Sequence, residues 1–202
     1  MVDFGTAAHT DYFSITDTYD PLSNRRAFYD ASHLLPAPML ECYVERYNAA
    51  QLANFVYALR SGMMGWCTIM QDTTVWTPEQ HATAKHAFDL YKSKLRPLIR
   101  EADLYHISSR PDGVHWDGLE YFQPSSGHGV VYAFRGSTSE EKEHKYFLKG
   151  LHPKRRYTLH FEDQTSPDRA ATGKELMDSG LLVSLPLPES SELVFFSEDP
   201  RQ

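Results

Sequence analysis

The sequence has little of what marks the commonest function classes. It holds only two cysteines, Cys42 and Cys67, in 202 residues. They make neither a CxxC pair nor a zinc spacing, so they read as two buried free thiols of a protein in the reducing cytoplasm. No run of about 18 apolar residues occurs, which argues against a membrane-spanning helix. The opening MVDFGTAAHTDYF lacks the charged and apolar segments of a secretory signal. Basic residues are outnumbered, 20 against 27, for a net charge of −7 without a basic block, so nucleic acid is not an expected partner. GxGxxG, Walker and GxSxG patterns are all missing, so neither a phosphate loop nor a serine nucleophile elbow can be argued and no cofactor is expected. The ten histidines do not converge. His81 and His86 lie five apart and not the four that would stack them on one helical face, and no metal is expected.

What is present is an ordinary soluble composition, 41% hydrophobic and 23% charged, with aromatics at 13%. The pattern changes near residue 102. Before it, DYFSIT (11–16) alternates as a strand does and ends at Asp17, and APMLECYVE (37–45) and MMGWCTIM (63–70) are further apolar runs. NAAQLANFVYALRSG (48–62) carries Leu52, Phe55, Val56 and Leu59 at helical spacing, with Gly62 as a stop. A second helix begins at Thr77, a predicted N-cap followed by Pro78 and by Gln80 at the capping-box position. Pro97 is expected to kink or shift it. Strand, loop, strand, helix, strand, helix is the grammar of a parallel α/β sheet. After residue 102 come only short strands, in DLYHIS, VHWDGLEYFQ, HGVVYAFRG, KYFLKGL, RRYTLHFED, LLVSLPL and SELVFFSED, spaced as in an antiparallel sandwich. TSEEKEH (138–144) reads as a solvated loop tip.

Three parallel strands and two helices cannot close a barrel or cover both faces of a sheet. The first half therefore reads as the last part of something larger. Within it, Asp17 and Asp72 each follow a strand-like run directly, where a (β/α)8 barrel carries its catalytic groups. Both sit equally well in turn chemistry, TDTYDP and QDTT, and the residues alone leave the two readings open.

The motifs in order carry a resemblance. FSITDTYDPLSNRRAF, LLPAPMLECYVE, and LRSGMMGWCTIMQDTTVWTPEQ running to LYHI resemble strand ends and the last helix of glycoside hydrolase family 36, the α-galactosidase-like enzymes. VVYAFRG, LKGLHPKRRYTLHF, TGKELMDSGLLVSLP and SSELVFF resemble that family's C-terminal β domain. The resemblance spans nearly the whole chain and involves only the family's C-terminal part. It implies α/β plus all-β architecture: residues 1–102 as the last strands and helices of a (β/α)8 TIM barrel, and 103–202 as an antiparallel β-sandwich. It further implies a retaining glycosidase acting on an oligosaccharide or glycoside, with Asp17 at the acid/base position. Asp20, Arg25, Arg26 and Asp72 would be substrate-binding. The family's nucleophile lies in an upstream Lys-x-Asp segment, and no strand precedes residue 11 to carry it. The chain is therefore expected to be inactive alone, to pair with a missing N-terminal half, or to self-associate through open sheet edges. A second expectation, from a different class, is a non-catalytic carbohydrate-binding or assembly module whose Trp116, Tyr121 and Phe122 stack on sugars, although those residues alternate like an ordinary core strand.

Overall fold

The computed structural model describes residues 4–18, 20–44, 52–137 and 140–200, in two compact units, Met1–Arg100 and Glu101–Gln202.

In the first unit a short helix α1 (Phe4–Ala7) leads to β1 (Phe13–Ser14), α2 (Pro21–Ala31), β2 (Leu40–Val44), α3 (Leu52–Ser61) and β3 (Trp66–Ile69). The three strands form one parallel sheet in the order β1-β2-β3. Ser14 lies opposite Glu41, Glu41 opposite Trp66, and Tyr43 opposite Thr68. Because side chains alternate across a strand, Leu40, Cys42 and Val44 share one face and Glu41 and Tyr43 the other. The first face is closed: Leu40, Cys42 and Val44 are essentially inaccessible, as are Phe28 of α2 and Leu59 of α3. Gly62 lets the end of α3 come down on β2, for a Cβ there would lie 2.6 Å from Val44 Cγ2 and 2.7 Å from the Tyr43 carbonyl.

Helix α2 occupies the segment read from the sequence as a loop. Its start is nonetheless written there: Asp20 caps it by accepting the Ser23 N–H at 2.8 Å, and Pro21 takes the first turn. Its polar composition, NRRAFYD, hides the helical period because two of its buried residues are Asn24 and Arg25. Of the predicted helix over 48–62, residues 48–51 lie outside the described residues.

The long C-terminal helix starts as α4 (Pro78–Leu90) under the expected capping box, Thr77 with Gln80. It passes through a π-helical turn, Tyr91–Leu95, into α5 (Arg96–Glu101), whose last residue begins the second unit. Pro97 accounts for the turn. It has no N–H to give and its ring crowds the carbonyl one turn back, so the helix widens there and Arg96 N–H bonds the Tyr91 carbonyl.

The second unit is built from β4 (Asp103–His106), β5 (Asp117–Gln123), β6 (His128–Phe134), β7 (Glu143–Tyr146), β8 (Arg156–Phe161), β9 (Arg169–Thr172), α6 (Gly173–Asp178), β10 (Leu181–Ser184) and β11 (Ser191–Glu198). One antiparallel sheet runs β4-β5-β6-β11-β8-β9 and a second pairs β10 with β7. Phe122, Val131, Tyr157, Phe161 and Phe196 of the large sheet and Tyr146, Leu181 and Val183 of the small one share a single core. Two elements, β9 and α6, were not anticipated from the sequence, and α6 carries its own capping box, Thr172 with Glu175. Glu143 and His144, read as part of a loop tip, are strand residues of β7, while 138 and 139 lie outside the described residues. Trp116, Tyr121 and Phe122 are 5%, 0% and 2% exposed. None presents a ring face to a sugar, which removes the stacking surface on which the binding-module expectation relied.

Candidate functional site

The sheet face bearing Glu41 and Tyr43 carries a chain of polar groups across all three strands of the first unit. The Tyr43 hydroxyl donates to Glu41 Oε2 at 2.9 Å, and Thr68 Oγ1 donates to Glu41 Oε1 at 2.8 Å. Since the Tyr43 proton is committed to Glu41, the bond between Ser14 Oγ and Tyr43 Oη has serine as donor. Ser14, Tyr43, Glu41 and Thr68 therefore form one relay, each strand contributing at least one member. Burial holds the Tyr43 proton on and raises its pKa, the Ser14 bond partly offsets this, and the charges of Glu41 and Asp17 reinforce it.

Asp17 stands three residues past Ser14, beyond the C-terminal end of β1, and is exposed. Thr16 and Thr18 order its loop, their hydroxyls 2.6 Å apart and the Thr18 N–H on Thr16 Oγ1 at 3.1 Å. The carboxylate at the strand end and the relay on the adjoining sheet face thus lie in one electrostatic neighbourhood. An exposed carboxylate just past a strand end is placed to meet a bound hydroxyl group.

The other residues singled out in the sequence are put to different uses. Asp20 caps α2. Arg25 is 1% exposed: its Nη1 donates to Ser61 Oγ at 2.9 Å, its Nη2 to the Tyr57 hydroxyl at 2.5 Å, and its guanidinium lies 4.5 Å from the centre of the Tyr57 ring. Beside it on α2, the buried Asn24 clamps β2, donating to the Tyr43 carbonyl at 2.6 Å. Arg26 follows, half-buried. Asp72 lies past the C-terminal end of β3, exposed, and starts a 3-10 turn by accepting from Thr74 N at 2.9 Å and Thr74 Oγ1 at 2.6 Å. Those bonds, the hydroxyl's first, lower its pKa.

Sequence reading missed Glu41 and Tyr43. The signal was there: in LECYV they stand two apart, on one face of an otherwise apolar strand, where a carboxylate needs donors. Ser14 and Thr68 carried no signal of their own, since hydroxyl residues are common at strand ends.

Cys42 and Cys67 are register partners on β2 and β3, and both are free thiols. Burial pushes Cys67 up to about 12 and raises Cys42 as well. Thiolate is the reactive form, so iodoacetamide at about pH 8 is expected to modify neither in the folded chain while modifying both in urea. Labelling of Cys67 at the denatured rate would contradict this placement. Among the described residues no group of three or more histidine, cysteine or acidic side chains is disposed to hold a metal ion. No helix among them is long and apolar enough to cross a membrane.

No family model matches this sequence, and no curated protein does. Solved structures do match. The galactosidase domain of the α-galactosidase-sucrose kinase AgaSK aligns over 96% of this chain and 27% of its own, at 16% identity and a TM-score of 0.82. The GH36 α-galactosidase AgaB of Geobacillus stearothermophilus aligns over 96% of this chain and 27% of its own, at 20% identity and a TM-score of 0.79. The α-galactosidase of Lactobacillus brevis aligns over 93% and 26%, at 17% identity and a TM-score of 0.75. Structures of a further GH36 α-galactosidase from G. stearothermophilus, AgaA, hold raffinose or stachyose. The chain spans about a quarter of the length of these proteins. It has the fold of one portion of a GH36 α-galactosidase, consistent with the C-terminal portion.

Proposed function

We propose that this chain is the C-terminal part of a retaining glycoside hydrolase of the α-galactosidase type, working in the cytoplasm on oligosaccharide α-galactosides. Residues 1–102 would supply the last three βα units of a (β/α)8 barrel and 103–202 its β-sandwich. The observation that carries the reading is the position of Asp17, a free-standing carboxylate just past the C-terminal end of a parallel strand in a fold shared with GH36 enzymes.

In this reading Asp17 is the acid/base. It protonates the glycosidic oxygen as the bond to the anomeric carbon breaks, then takes a proton from the water that releases the sugar. Asp72, at the same end of the sheet, accepts a sugar hydroxyl. Asp20 and Arg25 serve the substrate indirectly by setting the start and depth of α2, and Arg26 is the arginine of that helix placed nearer the surface. The nucleophile comes from the preceding part of such a barrel, since the 202 residues contain no Lys-x-Asp tripeptide.

The test is hydrolysis of nitrophenyl α-galactoside by the chain alone and by the chain co-expressed with the barrel segment of AgaB that precedes its matched portion. The chain alone is expected to be inactive, because the covalent route has no first step. The reconstituted pair is expected to turn over, and Asp17→Asn to lower its kcat by about 100-fold or more. Hydrolysis by the chain alone that survives Asp17→Ala would overturn both the assignment and the reading.

A further inference from the structure

A cavity of about 650 Å³ opens at the opposite end of the parallel sheet from Asp17. Asp11, Met39, Gly65 and Trp66 line it, residues that precede or begin the three strands, so it lies at their N-terminal ends. Its other wall is the C-terminal helix, with Tyr91, Arg96, Ile99 and Arg100.

We propose that this cavity is a binding site for a hexose monophosphate, separate from the Asp17 site. Arg96 and Arg100 are four apart on α5, hence on one side of the helix, and both are exposed. Among the described residues neither guanidinium makes a hydrogen bond or an ion pair. Two uncommitted guanidiniums on one cavity wall, in a chain of net charge −7, form a local positive spot whose planar forks suit the oxygens of a phosphate dianion. On the strand side of the same cavity, Trp66 is 49% exposed and its ring is held by a stack on Tyr12 at 5.4 Å. A fixed half-open indole is a surface on which the C–H face of a sugar ring packs, and the Asp11 carboxylate beside it accepts a sugar hydroxyl. The volume lies within the range of small-molecule pockets, roughly 300 to 1,000 Å³.

The helix is specially made at this wall. An extra residue in the π turn rotates everything after it by about 100°. The turn thereby sets which side of α5 bears Arg96 and Arg100, and it leaves the Tyr91 hydroxyl tied to the start of β3, donating to the Gly65 carbonyl at 2.9 Å and accepting from Cys67 N at 3.1 Å.

The experiment is calorimetric titration of the full chain with galactose 6-phosphate, and in parallel with galactose and with inorganic phosphate. Saturable binding of the sugar phosphate with Kd at or below about 1 mM is expected, with each control at least tenfold weaker. Arg96→Ala and Arg100→Ala, both at exposed positions, are each expected to weaken binding at least tenfold. Arg96→Lys should recover only part of the loss, because the fork is gone while the charge stays. Asp17→Asn should leave the affinity unchanged, which separates this site from the catalytic reading. The proposal is overturned by the absence of heat with millimolar sugar phosphate, by undiminished binding in the double arginine variant, or by equal affinity for inorganic phosphate.

Discussion

Replacing Arg25 by alanine is expected to destabilise the first unit by about 3 to 4 kcal/mol, the effect of deleting a large buried side chain together with charge-assisted hydrogen bonds. Arg25 is sealed from solvent between α2 and α3. Its loss would leave the Tyr57 hydroxyl and Ser61 Oγ without these donors and the Tyr57 ring without its stacked cation. The space left could not be filled by rotation of either partner, since Tyr57 is 3% and Ser61 0% exposed. Lysine is expected to rescue poorly, because one ammonium cannot span two acceptors that the guanidinium reaches with separate nitrogens. The measurement is urea unfolding followed by the fluorescence of Trp66 and Trp76, with Trp116, the remaining tryptophan, reporting on the second unit. A direct substrate role for Arg25, as the family resemblance implied, would give another result: an unchanged unfolding midpoint with a raised KM in the reconstituted enzyme.

Glu120→Gln is expected to stabilise the second unit above about pH 5, by a few kcal/mol near pH 8. Glu120 is fully buried in the middle of β5, between Tyr105 and Val131. One carboxylate oxygen accepts the Lys149 N–H at 2.8 Å and the other, Oε1, has no partner among the described residues. Burial raises its pKa to about 8 from an ordinary 4.5, although the Lys149 N–H and ammonium pull the other way. Below the ordinary value folded and unfolded chains both hold the proton, and Glu120 adds no pH-dependent cost. Between 4.5 and about 8 the unfolded chain gives up the proton while the folded chain keeps it, so stability falls steadily as pH rises. Each tenfold change in proton affinity is worth about 1.4 kcal/mol, which sets the scale of the loss. Glutamine cannot ionise and abolishes the slope. Urea midpoints at about pH 5 and pH 8 decide the matter, and parallel pH profiles for the two proteins would show that Glu120 titrates normally.

Glu192 makes the contrast within the same sheet. It too is fully buried, yet it accepts from Asp163 N, Leu193 N and the backbone and hydroxyl of Thr165. It fastens the turn after β8, where Gln164 has a positive φ of 55°. Two glutamates with the same burial therefore have opposite energetic roles, and only the donors around each decide which.

Much of the architecture was legible because it depends on near neighbours. The Thr77-Pro78-Gln80 cap, the apolar runs that became β2 and β3, and the evenly spaced strands after residue 102 all follow from residues a few positions apart. Helix α2 was not legible, since its buried face includes an asparagine and an arginine whose partners lie 19 to 37 residues away. The candidate site divides in the same way. The place of Asp17 after a strand could be read from alternation; the joining of Ser14, Tyr43, Glu41 and Thr68 could not, because it depends on the lateral register of three strands.

By itself, then, the sequence determined the change from α/β to antiparallel β near residue 102, the ends of the main elements and the placing of Asp17 at a strand end. Tertiary structure alone decided that Arg25 is buried, that Glu41 belongs to a hydrogen-bonded relay, and that Arg96 and Arg100 share a cavity with Trp66. The physical reason is that periodicity and capping act within a turn or a strand. Burial of a charge and the convergence of a site depend on which distant segments pack together.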